Sequence, residues 1–254
     1  MPGPALSRPR PTPVVRSVPP RGAAPIVRPR PRRVAVPLSG PAAAERAGLV
    51  APLAQLRARC QGRTVFVLAS GPSLTPADVA RVRATGWPVL VTNTSFRLAP
   101  WADALFAQDR KWIAHYRAEV AADFKGLVFS GQPVSGPQGA GLRVTNLRHL
   151  GIDTYRNSGA GAIALAIHAG AARVVCLGLD GQPAADGARH WHGAHPAGLG
   201  NAVSMPLWGE RLAQCAAFAA RRGVPVVNAS RATALTCFPR LALEAVLPAG
   251  EGAA

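Results

Sequence analysis

The chain has 254 residues, 48% of them hydrophobic, which is enough for one α/β domain with a real core or for two small ones. No apolar run reaches the roughly 20 residues that span a bilayer, and Pro and Arg interrupt every apolar stretch near the start, so neither a membrane-spanning helix nor a signal peptide is expected. The formal charge of +17 suggests a polyanion partner, but eight arginines and no acid fall in residues 1–33, so the rest carries +9.

Basic residues are nearly all Arg, with only Lys111 and Lys125 as lysines. Together with abundant Ala, Gly and Pro, that usage fits GC-rich coding and weakens the charge as a sign of a polyanion partner. Cys60, Cys176, Cys215 and Cys237 show no paired spacing. They read as reduced thiols of a cytoplasmic protein, not as a disulfide set or a zinc site.

Residues 1–41, with "RPRPTP" and "RPRPRR", have little apolar surface to bury and many prolines. They are expected to form a disordered or polyproline-like arm. It is either a solvated tail or a tether to nucleic acid or another acidic partner. Residues 42–254 are expected to form a single Rossmann-like domain.

Ala42–Cys60 reads as a helix with a break at Pro52. "TVFVLA" (64–69) is a short β-branched run and predicts a buried strand. Thr75–Thr85 predicts a helix, with Pro76 at its first position and Gly86 at its end. "PVLVTN" predicts a strand ending at Asn93, and "ADALFAQD" another ending at Asp109. Lys111–Asp123 reads as helical and "GLVFS" as a strand. Residues 130–155 read as loops with one short strand. Ser158–Ala172 is a helix of small residues, and "RVVCLGLD" is a strand ending at Asp180. A loop, a helix over about 206–222 and the strand "PVVNAS" complete the pattern. Strands alternating with helices predict a mainly parallel sheet with helices on both faces.

In such a sheet, ligands bind beyond the carboxyl ends of the strands. Polar groups recur at those ends: Ser70-Gly71-Pro72-Ser73, Asn93, Asp109, Asp180 and Asn228-Ala229-Ser230. Each alone is ordinary turn chemistry, but their recurrence points to a polar ligand. The turn "SGPS" lacks the ending of a P-loop and the glycine pattern of a dinucleotide fold. Gly71 would still let backbone approach a ligand, and Ser73 offers a hydroxyl. In "NSGAGA", Ser158 can cap the next helix, and Gly159 leaves its first N–H groups open to an anion. The same small residues also suit tight packing.

"RHWHGAHP" holds three of the six histidines: His190, His192 and His195. A polar loop makes core imidazoles improbable, and near-neutral histidine serves as general acid or base. Their spacing matches no common zinc pattern. His168, within the small-residue helix, reads as structural.

The order of these motifs resembles the bacterial sialyltransferase family of CMP-sialic acid users. It also resembles the related 6-hydroxymethylpterin pyrophosphokinase-like (MptE-like) domains, over about residues 64–237. The "SGPSL", "NSGA", "HWHG" and "NASR-TALTCF" segments are similar to those of prophage proteins, some labelled morphogenetic. The resemblance implies a nucleotide site at Ser70, Gly71, Pro72, Ser73, Asn93, Asn157, Ser158 and Gly159, with His192 or His195 as general base. Asp180, at its strand end, is added to that site.

The expected function is a nucleotide-dependent transferase of glycosyltransferase type, with a nucleotide-sugar substrate, no resident cofactor and no metal, in a bacterial or phage-infected cell. The alternatives are ATP-dependent pyrophosphoryl transfer, which would need Mg²⁺ near carboxylates such as Asp109 and Asp180, and a non-catalytic phage-associated partner of nucleic acid or protein.

Overall fold

The computed structural model describes residues 41–134 and 142–248, with side chains from residue 50 onward. The expected arm, residues 1–41, lies outside the described residues except for Pro41. Contacts divide the chain into Met1–Leu38 and Ser39–Ala254, and every described residue belongs to the second unit.

Seven strands form one parallel sheet: β1 (Thr64–Leu68), β2 (Val89–Thr92), β3 (Ala104–Ala107), β4 (Leu127–Ser130), β5 (Val144–Asn146), β6 (Arg173–Leu177) and β7 (Val226–Asn228). Among the described residues there are five α-helices: α1 (Pro41–Cys60), α2 (Pro76–Ala84), α3 (Arg110–Asp123), α4 (Ser158–His168) and α5 (Trp208–Arg221). The strands are short and almost wholly apolar because helices cover both faces of the sheet. The fold is α/β and Rossmann-like, as expected.

Alternation along each strand divides the core. Val65 and Val67 of β1 pack with Leu56 of α1, Ile163 of α4 and Leu212 of α5. Phe66 and Leu68 point the other way, into a cluster with Val79 of α2 and Ile113 of α3. Helix α4 is buried from Gly159 to Ile167. Its small residues are needed there: a Cβ at Gly161 would run into the Phe106 ring. Tight packing thus accounts for that glycine.

The strand order is β5-β4-β3-β2-β1-β6-β7. The chain steps outward from β1 to β5, then returns through α4 to lay β6 on the other side of β1. Thr64–Leu68 of β1 pairs in register with Arg173–Leu177 of β6, and Phe66–Leu68 with Val89–Val91 of β2. Such a reversal opens a crevice between the loops that leave β1 and β6.

Several boundaries differ from expectation. Helix α1 runs through Pro52 without a break. Strand β2 stops at Thr92, and Asn93–Arg97 forms a 3₁₀ turn. Strand β3 stops at Ala107, and Asp109 caps α3, its Oδ1 accepting the Lys111 N–H at 2.8 Å. The small-residue helix ends at His168, not Ala172, where Gly170 turns at φ +86°. Met205–Leu207 is a 3₁₀ turn ahead of α5. Residues 130–155 hold one short strand, β5, as expected, and add a 3₁₀ turn at Leu147–Leu150, while residues 135–141 lie outside the described residues. No described helix is long and apolar enough to cross a membrane.

Candidate functional site

A cavity of about 410 Å³ opens at the carboxyl edge of the sheet, where the loops after β1 and β6 diverge. That volume suits a small-molecule ligand. Its wall brings together Ser70, Gly71, Asn93, Asn157, Ser158, Gly159 and Asp180, residues separated by as much as 110 positions in the chain. His190 and His195 also line it, while Pro72, Ser73 and His192 do not.

The β1 turn is fastened from within. The Ser70 hydroxyl donates to the Thr92 carbonyl at 3.1 Å and lies 3.2 Å from Ser95 Oγ, tying β1 to β2. The Ser73 hydroxyl donates to Asp180 Oδ1 at 2.6 Å, and the Ser73 N–H donates to Oδ2 at 2.8 Å. Ser73 therefore does not offer its hydroxyl to a ligand. Gly71 is also required by the fold itself: a Cβ there would sit 2.5 Å from both Asp180 Cγ and the Gly178 carbonyl. The close approach that Gly71 permits is therefore first of all that between the β1 and β6 turns, while the residue also lines the cavity.

Asp180 is buried at the far side of that clasp. Burial pushes its carboxyl above the usual range, and the two Ser73 bonds hold back part of the rise. Asn228 and Ser230, at the end of β7, are likewise turned inward. The Asn228 Nδ2 group donates to the Leu179 carbonyl at 2.9 Å, and Ser230 Oγ accepts the Leu179 N–H at 2.8 Å.

Asn93 holds a left-handed backbone at φ +47°, a conformation that asparagine tolerates better than most residues. Its Nδ2 donates to Ser158 Oγ at 3.2 Å, so the end of β2 and the start of α4 meet at the cleft. The cap of α4 is Asn157, not Ser158: Asn157 Oδ1 accepts the Ala160 N–H at 3.0 Å. The Ser158 hydroxyl instead accepts the Gln108 N–H at 3.3 Å. Among the described residues no acceptor reaches the N–H groups of Ser158 and Gly159, at the positive end of the helix dipole. Just before this cap, Tyr155 and Arg156 both adopt φ +52°, a strained pair of left-handed residues.

The histidine loop is pinned by residues that the sequence reading passed over. Trp191 donates its backbone N–H to the Ser70 carbonyl at 3.2 Å and its indole N–H to Ser95 Oγ at 3.1 Å. Asn201 Oδ1 accepts the His195 N–H at 2.6 Å. The three imidazoles gather with ring centroids 4.7–5.1 Å apart, and His195 lies 6.1 Å from the Tyr116 ring. His190 and His195 are buried, not exposed as a polar loop suggested, because Trp191 folds the loop onto the sheet.

Burial lowers His190, and lowers His192 and His195 to about 4, with the neighbouring imidazoles adding to the last two. All three are therefore neutral at pH 7. His190 Nε2, His192 Nε2 and His195 Nδ1 are buried with no hydrogen-bond partner among the described residues. No group of three His, Cys, Asp or Glu side chains among the described residues is arranged to hold a metal ion. His168 is structural as expected, its ring stacked on Phe218 at 5.5 Å.

Arg156, Arg189 and Arg211 also line the cavity. Arg211 Nη1 donates to the Arg156 carbonyl at 3.0 Å, and Arg189 Nη1 to the Asn201 carbonyl at 2.9 Å. None of the three makes an ion pair with a described carboxylate. In a chain so rich in arginine, sequence alone carried no signal to single them out.

Comparison of the chain with protein-family models, with curated proteins and with solved structures finds no match.

Proposed function

We propose that the chain is a nucleotide-dependent transferase that binds its donor in the cleft between β1 and β6. The observation that carries this reading is the convergence of Asn93, the open N–H groups of Ser158 and Gly159, and His195 on one cavity at the point where the strand order reverses. A departing phosphate would be held by the helix start, and a neutral imidazole would stand nearby.

The reaction class is glycosyl transfer. His195 takes the proton of an acceptor hydroxyl, the acceptor oxygen bonds to the anomeric carbon, and the bond from that carbon to the phosphate oxygen breaks. The electron pair leaves with the nucleotide. His195 is preferred to His192 because it lines the cavity, whereas His192, its ring centroid 4.7 Å from that of His195, does not. The pyrophosphokinase reading is weaker, since Asp180 directs both oxygens to Ser73 and leaves Asp109 as the carboxylate open to Mg²⁺.

The test is a thermal-shift and calorimetric screen of the full chain with CMP, UDP, GDP and ATP. Binding of at least one below millimolar concentration, weakened by Asn93→Ala, supports the reading. Absence of binding by all four at millimolar concentration removes it, and leaves the phage-associated partner protein as the standing alternative.

A further inference from the structure

The cleft carries more positive charge than a single phosphate needs. Arg156, Arg189 and Arg211 line it; Arg189 and Arg211 each spend one described bond on a backbone carbonyl, leaving other guanidinium N–H donors for a ligand. The two carboxylates in the same wall do not pair with them. Asp180 accepts both its bonds from Ser73, and Asp109 caps α3. The N–H groups of Ser158 and Gly159 add the positive end of a helix. Two further polar groups in this wall are buried and unpartnered, His190 Nε2 and His195 Nδ1, each on a side chain more than nine-tenths buried. A ligand that satisfies the guanidinium and amide donors brings several acceptor oxygens and more than one negative charge.

Resting on the proposed nucleotide site, we infer that the cleft is built for a diphosphate, so that its ligand is a nucleoside diphosphate or a diphosphate ester of that class, not a nucleoside monophosphate ester. A monophosphate diester brings one negative charge. A diphosphate bridge brings two and spreads its oxygens over enough length to meet the helix start and arginines from separate loops. Arg156 and Arg211 are already joined through the Arg156 carbonyl, and Arg189 approaches from the histidine loop. Planar guanidinium forks suit phosphate oxygens in two-point contact.

The experiment titrates the full chain by calorimetry with UMP, UDP, GMP, GDP and inorganic pyrophosphate. The same titrations are run on Arg156→Gln, Arg189→Gln and Arg211→Gln, with Arg→Lys partners and thermal melts as controls for folding. The expected result is at least about tenfold tighter binding of a diphosphate than of the monophosphate of the same base. Each Gln variant should narrow that gap by roughly threefold or more, and each Lys variant should restore part of it. Because these variants change only the cleft, they separate this seat from any binding by the arginines of residues 1–33. Equal affinity for mono- and diphosphates overturns the inference while the nucleotide reading stands. Pyrophosphate binding as tightly as UDP and GDP upholds the diphosphate seat and removes the nucleoside part of the reading. A gap that survives all three Gln variants overturns the arginine assignment, and no binding at all overturns both readings.

Discussion

At the residue scale, the Ser73–Asp180 clasp separates stability from binding. Ser73 faces Asp180 with both its hydroxyl and its N–H and does not line the cavity. Ser73→Ala is therefore expected to cost about 1.5–3 kcal/mol of folding stability, the scale of a hydrogen bond to a charged group. Nucleotide affinity should stay close to wild type. Urea unfolding and calorimetry on the same preparation check both halves, and unchanged stability with weakened binding would reverse the assignment. Gly71→Ala belongs to the same clasp. Its methyl group would press on the Gly178 carbonyl, and overpacking of that kind costs about 1–3 kcal/mol.

The histidines give a pH dependence with a definite sign. His192 and His195 are lowered to about 4 in the folded chain, below the ordinary value of 6.5. Between those values the unfolded chain binds more protons, so stability is complete above about pH 6.5 and falls as the pH drops toward 4. Asp180 is shifted upward by burial and works in the opposite sense, gaining stability as it protonates. The double variant His192→Gln/His195→Gln keeps Asp180 unchanged, so the difference from wild type isolates the imidazoles. It should lose less stability than wild type between pH 7 and pH 5 in urea unfolding. Parallel losses in the two proteins would show that the imidazoles are not buried in neutral form.

At the scale of the elements, α4 and α1 make contrasting tests. Helix α4 is capped by Asn157 and packed through Gly161 on Phe106. Asn157→Ala should cost about 0.5–2 kcal/mol for the lost cap. Helix α1 carries Pro52 in its interior, where proline removes a backbone donor and crowds the preceding turn. Pro52→Ala should raise the unfolding midpoint, by up to about 3 kcal/mol of stability.

The elements also mark what sequence could and could not reveal. Apolar runs such as "TVFVL" and "RVVCL" are legible as strands because burial on both faces leaves no room for polar residues. Their ends are not legible. Asn93 and Asp109 look like strand termini, yet one opens a 3₁₀ turn and the other caps a helix through its own side chain. Pro52 reads as a break because local propensity speaks against it, while tertiary packing of Leu56 and Cys60 holds α1 in place.

At the scale of the whole molecule, the sheet order explains why scattered motifs form one site. Reversal at β1 sets the loop after β1 beside the loop after β6, and α4 returns beneath them. The recurrence of polar residues at strand ends was readable, and so was the shared edge of Asn93 and Ser158. The division of labour among them was not. Sequence shows that Ser70, Ser73 and Asn228 are polar, but only the fold shows that their hydrogen bonds are spent inside the protein. Trp191, Asn201 and the cleft arginines were missed for the complementary reason, since their roles depend on which loop they meet.

The measurement that tests the central claim most directly is the hydrogen–deuterium exchange footprint of a saturating nucleotide on the full chain. The account predicts protection confined to residues 69–71, 93, 157–159 and 189–195, strongest at the Ser158 and Gly159 amides, which have no acceptor among the described residues. Protection that avoids these segments and falls instead around Asp78, Arg231 and Arg240, which line a separate cavity, would contradict it.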